Sequence, residues 1–523
     1  MSRSSYSRSH AKTNAQKNAL RNSPGTYSGA YAGSSATHKA AKPEASSPNS
    51  PDNSQINNQE NPEIIQASIH ALSHEGRGIA SINGKTTFVE DALPGELVEI
   101  EYLSRRGKYD EARAVKIITA SPDRVTPPCE YFGRCGGCVL QHLDPVKQVV
   151  HKESVLRDHL VHFGKISPKD NFLAPLYLPS PLNLGYRKKA RLSVRYVPKK
   201  GGALVGFRER EGKFLMDMAH CEVLDPSVGH HLEKLRKVVS SLDSRSDIAQ
   251  IEMAVGEDEN NQPLTALVFR NLEKLSDLDF VKLRDFGAAE NFWIYLQPKG
   301  PDSVFLIYPE KNSENNQENN QLGDLSYSHQ DHNIKINFMP QDFTQVNSGM
   351  NTLMLKQALD LLDLKPNDQV LDLFCGLGNF TLPMARYAEK VLGIEGDLSM
   401  VEKARKNAES NLIKNSEFMV ANLFEENSPN NSGSHWEAAI EKLLPKVNKV
   451  LLDPPRSGAE AVVNYIGRKA IPHVVYVSCN PATLARDAGI LVNNYGYELV
   501  TAGVMDMFPH TAHVESMAVF IKK

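Results

Sequence analysis

Val370-Leu371-Asp372-Leu373-Phe374-Cys375-Gly376-Leu377-Gly378-Asn379 is the stretch that decides the fold. Its apolar start reads as a buried strand, and the glycines that follow make a tight turn into a helix beginning near Thr381. Strand, glycine turn and helix form the nucleotide-binding corner of a doubly wound sheet. Nineteen residues after Gly376 a second apolar run, Lys390 to Glu395, ends in a carboxylate able to accept both hydroxyls of a ribose. Ser416 to Val420, Lys449 to Asp453 and His473 to Ser478 continue the alternation of strand and helix. Residues 341–523 are therefore expected to form a Rossmann-like α/β domain with largely parallel strands. The three-glycine phosphate fingerprint is incomplete, which suits a sulfonium amino acid better than a dinucleotide.

Chemistry collects at the carboxyl ends of the later strands, where open α/β sheets bind ligands. Leu452-Asp453-Pro454-Pro455-Arg456 follows the fourth strand, and Ser478-Cys479-Asn480-Pro481 the fifth. Ser, Asn and Pro around Cys479 are loop formers, so this cysteine reads as a nucleophile. Cys375, directly after a strand, reads as a small packing residue. A thiolate has a clear use if the substrate is a uracil. C5 of that ring is a poor nucleophile, and sulfur added at C6 turns it into an enolate whose charge reaches C5. Arg456 stands where amine methyltransferases carry an aromatic, which argues against an exocyclic amine. Asn422, beyond the third strand, is placed to meet an adenine edge.

Four ordered motifs, DLFCGLGNFTLP, LLDPPRSG, SCNPATLARD and PHTAHVESM, resemble the RNA uracil-C5 methyltransferases from about Phe343 onward. The resemblance implies S-adenosylmethionine as methyl donor, Cys479 as nucleophile and Glu515 as the base that takes the C5 proton. It also assigns donor contacts to Gln345, Phe374, Asn379, Glu395, Asn422 and Asp453, with a hydrogen bond to the uracil edge as the alternative for Asp453. Two other readings are a tRNA enzyme of the same family and a non-enzymatic RNA-binding iron–sulfur protein. Cytosine-C5 methylation fits less well: its RNA enzymes carry a nucleophilic cysteine after the proline of the fourth motif, where this chain has Pro455 and Arg456.

Upstream, residues 63–121 read as five short strands in an OB-like barrel, four of them at Ile64 to Leu72, Lys85 to Val89, Leu97 to Tyr102 and Ala112 to Ile118. GRGIA, GKTTFV and ALPGELVEI resemble the TRAM domain, an RNA-binding module. Arg105-Arg106-Gly107-Lys108-Tyr109 falls in a loop of it, able to grip phosphate. Residues 122–340 are expected to form a mixed α/β central domain. It includes a helix from Pro145 to Val161 and a strand from Tyr186 to Tyr196. That strand puts Arg187, Lys189, Arg191 and Arg195 on one face, toward solvent or phosphate.

Cys129-x₅-Cys135-x₂-Cys138 and the distant Cys221 offer four thiolates, and zinc or an iron–sulfur cluster accepts four. The spacing resembles the iron–sulfur ligands of the 23S rRNA branch of the methyltransferase family. That implies a [4Fe–4S] cluster with a structural role, and 23S rRNA as the partner. Seven Lys or Arg precede the first acid, Glu44, so residues 1–62 read as a disordered basic tail. The Asn/Gln-rich residues 310–332 read as a disordered loop, and Glu426 to Ser434 as an insertion. The chain has no apolar run of about 18 residues or more. With a net charge of -3, RNA affinity must come from local basic patches rather than the average. The expectation is a cytoplasmic monomer with no membrane segment.

Overall fold

The computed structural model describes residues 64–167, 172–210, 212–310, 325–424 and 435–523. The expected tail at 1–62 and the insertion at Glu426 to Ser434 lie outside the described residues.

The first part holds six strands rather than five: β1 (Ile65–Ser68), β2 (Ala71–Leu72), β3 (Gly78–Ile82), β4 (Lys85–Glu90), β5 (Leu97–Arg105) and β6 (Tyr109–Thr119). They form one sheet in the order β1-β5-β6-β4-β3-β2 around Ala80, Val89, Val98, Ile100 and Ala112. The run Ile64 to Leu72 breaks into two strands because the chain changes partner in its middle. The Ile69 N–H bonds to the Glu96 carbonyl (2.9 Å) and the His70 N–H to that of Ile79 (3.0 Å). Glu96, fully buried, receives a two-point ion pair from Arg124 (2.5 and 2.8 Å), which ties the barrel to the next segment.

The central part begins with α1 (Pro145–His162). Its cap Asp144 accepts from the Val146 and Lys147 N–H groups, and Pro145 occupies the first turn. A mixed eight-stranded sheet follows. It comprises β7 (Lys189–Val197), β8 (Gly202–Gly206), β9 (Ile248–Glu257), β10 (Pro263–Asn271), β11 (Phe292–Leu296), β12 (Phe305–Tyr308), β13 (Leu325–His329) and β14 (Ile334–Phe338). Helices α2 (Pro226–Gly229), α3 (Leu232–Ser241) and α4 (Asp277–Glu290) accompany it, and α3 and α4 share its core through Leu232, Leu235, Val239 and Leu283.

Two expectations need correcting here. The loop anticipated over 310–332 is ordered in its second half: residues 325–329 form β13, paired antiparallel with β14 from Leu325↔Phe338 to His329↔Ile334. The apolar Leu325 is buried in the core, which the Asn/Gln-rich run before it disguises. Residues 311–324 lie outside the described set. On β7, Arg191 and Arg195 face outward, but Lys189 does not. Its ammonium bonds to the Asp342 carbonyl and lies 3.7 Å from Glu252, and burial pushes its pKa down to about 8.

The last part alternates α5 (Ser348–Leu362), β15 (Gln369–Leu373), α6 (Thr381–Ala385), β16 (Lys390–Glu395), α7 (Leu398–Ser410), β17 (Ser416–Val420), α8 (His435–Leu443), β18 (Val447–Leu452), α9 (Glu460–Lys469), β19 (His473–Ser478) and α10 (Pro481–Gly489). Two further strands, β20 (Tyr497–Met505) and β21 (Glu515–Lys522), complete a seven-stranded sheet in the order β17-β16-β15-β18-β19-β21-β20. Neighbours from β17 to β19 run parallel, and β21 is antiparallel to both β19 and β20. Helix α1 packs on this sheet rather than on the central one. Val155, Leu156 and Leu160 share a core with Leu484, Ala485 and Ala502. Residues 173–176 extend the same edge: the Leu173 and Leu176 N–H groups bond to the Ala502 and Val504 carbonyls (2.8 and 3.0 Å).

Candidate active site

The donor corner lies at the carboxyl ends of β15, β16 and β17. Gly376 and Gly378 both take positive φ (54° and 92°), which keeps the turn after β15 narrow. Glu395 ends β16 and accepts from the Gly376 N–H (3.2 Å) and from Gly396 (2.7 Å), so its carboxylate is fixed beside the turn. Phe374, half-buried, sits 5.6 Å from the Phe424 ring, and Asn422 is exposed on the neighbouring loop. Gln345 lies half-buried between β14 and α5, on a segment joined to β7 by the Lys188 N–H and the Val346 carbonyl (2.7 Å). Cys375 is buried in the core, in keeping with a packing role.

Asn379 is the best-anchored member of this set. Its side-chain oxygen accepts from Tyr327, His329 and Asn351 (3.0 Å each), and its amide donates to Asn351 (3.0 Å). Tyr327 and His329 belong to β13, inside the stretch expected to be disordered. Composition hid them; only the alternation of Leu325, Tyr327 and His329 hinted at a strand.

Beneath the turn, burial pushes Asp372 up to about 7, with Asp453 and Glu395 adding repulsion. Thr381 donates to one of its oxygens (2.5 Å), while the other, Oδ1, finds no partner among the described residues. Asp372, with Asp453 and Glu395 both repelling its charge, gathers negative charge at the glycine turn, which suits a cationic ligand. The donor set therefore fits a sulfonium nucleotide.

The reacting end is built by strand register. Ser478 of β19 pairs with Ser516 of β21, so Cys479 and Glu515 are next in line on adjacent antiparallel strands. Asp453, at the end of β18, completes the group. Burial pushes the Cys479 thiol up to about 12, with Glu515 and Asp453 adding to it and Arg456 opposing. Burial likewise raises Glu515 to about 8, with Asp453 adding to it, and Asp453 to about 7. Buried groups that hold their protons are thus crowded at one place, a pattern that marks a candidate site. Arg456 contacts His513, whose imidazole burial keeps neutral by pushing it down to about 4. The Arg456 carbonyl in turn accepts from Asn480 (2.9 Å) and Thr483 (3.2 Å), locking the two loops together.

The four cysteines share a pocket in the central core. Cys135, Cys138 and Cys221 are buried, with Cys129 packed against them. Burial pushes Cys138 up to about 12, and each of the other three thiols adds to it. Backbone N–H groups point at the sulfurs: Gly137 at Cys135, Tyr131 and Phe132 at Cys129, Val223 and Leu224 at Cys221. That donor chemistry fits a thiolate-bound centre. Among the described residues, however, no three His, Cys, Asp or Glu stand in metal-holding geometry.

Comparison with known proteins gives a consistent result. A family model described as tRNA (Uracil-5-)-methyltransferase matches residues 318–523, and the TRAM domain model matches residues 59–115. A 23S rRNA (uracil(1939)-C(5))-methyltransferase RlmD from Francisella tularensis subsp. novicida is 48% identical over 459 residues, covering 88% of this chain and 97% of the relative. One from Legionella pneumophila is 46% identical over 458 residues, covering 87% and 97%. Among solved structures, a Pyrococcus abyssi tRNA (uracil-54, C5)-methyltransferase in complex with S-adenosyl-L-homocysteine aligns with TM-score 0.61 at 23% identity, covering 87% of this chain and 100% of that one. That likeness shows the fold. No helix among the described residues is long and apolar enough to cross a membrane.

Proposed function

The chain belongs to the 23S rRNA (uracil-C5)-methyltransferase family, and from that premise we propose that it methylates C5 of one 23S rRNA uracil, uracil-1939 by the relatives' numbering. S-adenosylmethionine supplies an electrophilic methyl group. The proposal takes the enzyme as a cytoplasmic monomer. The observation that carries the mechanism is the β19–β21 register, which makes Cys479 and Glu515 neighbours with Asp453 alongside.

Cys479 reacts as the thiolate, its proton passing to solvent, and Arg456 lowers the cost of that charge. The thiolate forms a bond to C6, and the ring's electrons move toward C5 and the C4 oxygen. C5 then takes the methyl group, leaving S-adenosylhomocysteine. Glu515 removes the C5 proton; that electron pair restores the C5–C6 double bond and the thiolate departs. The uracil must leave its stack to reach Cys479, at a cost of a few kcal/mol. Gln345, Phe374, Asn379, Glu395, Asn422 and Asp453 hold the donor in this reading, with a hydrogen bond to the uracil edge as the other role for Asp453. Cys129, Cys135, Cys138 and Cys221 would hold a [4Fe–4S] cluster, with zinc as the other occupant. Its role is structural, because methyl transfer from a sulfonium needs no electron.

5-Fluorouracil-substituted RNA tests the reading, because fluorine at C5 cannot be removed as a proton and the adduct persists. With donor, 23S rRNA is expected to form an adduct stable on a denaturing gel, and Cys479→Ala none. An undiminished adduct with the alanine variant would overturn the mechanism. Adduct with tRNA alone would overturn the substrate.

A further inference from the structure

Helix α1 carries two polar side chains where a helix packed on a core should carry apolar ones. Gln148 and Lys152, one turn apart on the same face, are each 1% exposed. Both reach the loop 506–514 that joins β20 to β21. Lys152 donates to Asp506 (2.6 Å) and to the Phe508 carbonyl (3.0 Å). Gln148 accepts from the His510 N–H (2.9 Å), while its amide donates to the Leu140 and Leu143 carbonyls (3.0 and 2.8 Å). Tyr186 adds a hydrogen bond to the Pro509 carbonyl (3.1 Å), and the Val139 and Leu140 N–H groups bond to the His510 carbonyl (3.0 Å each). This loop ends at Glu515, the first residue of β21.

A buried ammonium is expensive, and an ion pair with Asp506 alone does not explain its place, because apolar residues would fill the same space at no charge penalty. We propose that Lys152 is a positioning residue for Glu515: it clamps the loop that delivers the carboxylate and supplies positive charge next to it. The inference rests on the reading of Glu515 as the base. Lys152 opposes the rise of the Glu515 pKa, together with Arg456 and against Asp453. Cys479, just after β19, feels the Glu515 charge in turn, and His513 from the loop itself is kept neutral by burial. Proton removal at C5, the only step that Glu515 performs, is therefore the step that Lys152 controls; sulfur addition and methyl transfer come before it.

Single turnovers with full-length protein, unmethylated 23S rRNA and methyl-labelled donor separate these steps. Labelled methyl first appears in a protein–RNA adduct and then in free RNA. Lys152→Met is expected to form the adduct at the wild-type rate but resolve it about tenfold or more slowly. With a positive charge gone, Glu515 gives up its proton only at higher pH, so the rising limb of resolution against pH moves upward. Lys152→Arg should bring the limb back. The double variant Lys152→Met/Asp506→Asn removes the unpaired buried carboxylate, so slow resolution in a stably folded protein would not be a folding defect. Unchanged resolution, or equal slowing of adduct formation and resolution with no shift of the limb, would overturn the proposal. Glu515→Gln run alongside tells the two failures apart. If it stalls the adduct and Lys152→Met does not, only Lys152 is misassigned; if it resolves normally, the base is misassigned and Lys152 with it.

Discussion

Glu515 occupies a costly position for a carboxylate. Burial first, then Asp453, raises its pKa from the ordinary 4.5 to about 8. Between those values the folded chain keeps a proton that the unfolded chain has released, so the group subtracts stability as pH rises through the window. Glu515→Gln removes that penalty. At pH 7 the gain is up to roughly 3–4 kcal/mol, from about 2.5 pH units at about 1.4 kcal/mol each. Thermal melts at pH 5 and pH 8 should show the variant's advantage widening with pH, while adduct resolution falls about 10²–10⁴-fold. A constant difference would mean that Glu515 titrates normally. Such an exchange of stability for function is common at active sites. The reading of Cys479 as a nucleophile rested on Ser478, Asn480 and Pro481, loop-forming residue types that give a free thiol a reason to be there. Glu515 was not legible in this way, since an acid between Val514 and Ser516 reads as a surface residue. Its meaning comes from a strand pairing that brings together residues 36 positions apart in the chain.

The turn at Gly458, between β18 and α9, shows how closely the loops bearing Arg456 and Cys479 interlock. Gly458 has φ of 78°, and a Cβ there would lie 2.6 Å from Arg486 Nη2, 2.7 Å from Asp487 Oδ2 and 2.9 Å from Thr483 Cβ. Asp487 is itself buried and committed, accepting from the Ala459 N–H (2.7 Å) and the Tyr476 hydroxyl (2.7 Å). Gly458→Ala is expected to cost about 1–3 kcal/mol, through strain in the turn. It should lower turnover as well, because Arg456 moves with the turn. Denaturant midpoints and steady-state rates check this; no change in either would mean the turn relaxes freely. Among elements, the five parallel strands were legible because buried parallel strands are continuous apolar runs of fixed length. β20 and β21 were not anticipated, since Tyr497–Met505 mixes polar and apolar residues and hides the strand that follows Gly496. β13 was masked by its Asn/Gln-rich neighbour. The polar face of α1 was unreadable for another reason: Gln148 and Lys152 look like solvent-facing residues until the loop some 360 positions later is in place.

Across the molecule, the cysteine pocket is a junction. Arg210 bonds to Asp91 of the barrel (2.7 Å) and to the Cys138 carbonyl (3.2 Å), and the same cysteine loop reaches the His510 carbonyl. If a [4Fe–4S] cluster sits there, anaerobically purified protein should be brown and contain iron and sulfide. Cys221→Ser should lose both and be less stable by about 1–3 kcal/mol. Colourless protein containing zinc would assign the pocket to zinc instead. Net charge and composition carried none of this, because the junction depends on single contacts between distant segments. The placement of α1 has a practical corollary. Anyone grafting the methylating half onto another RNA-binding head would naturally cut near residue 341, where the glycine-turn domain was expected to begin. Such a chimera would inherit the thiol and the donor corner yet leave behind α1 and residues 173–176, which brace the carboxylate and the sheet edge. The transplantable module starts ahead of Asp144, and the central sheet is an insert within it.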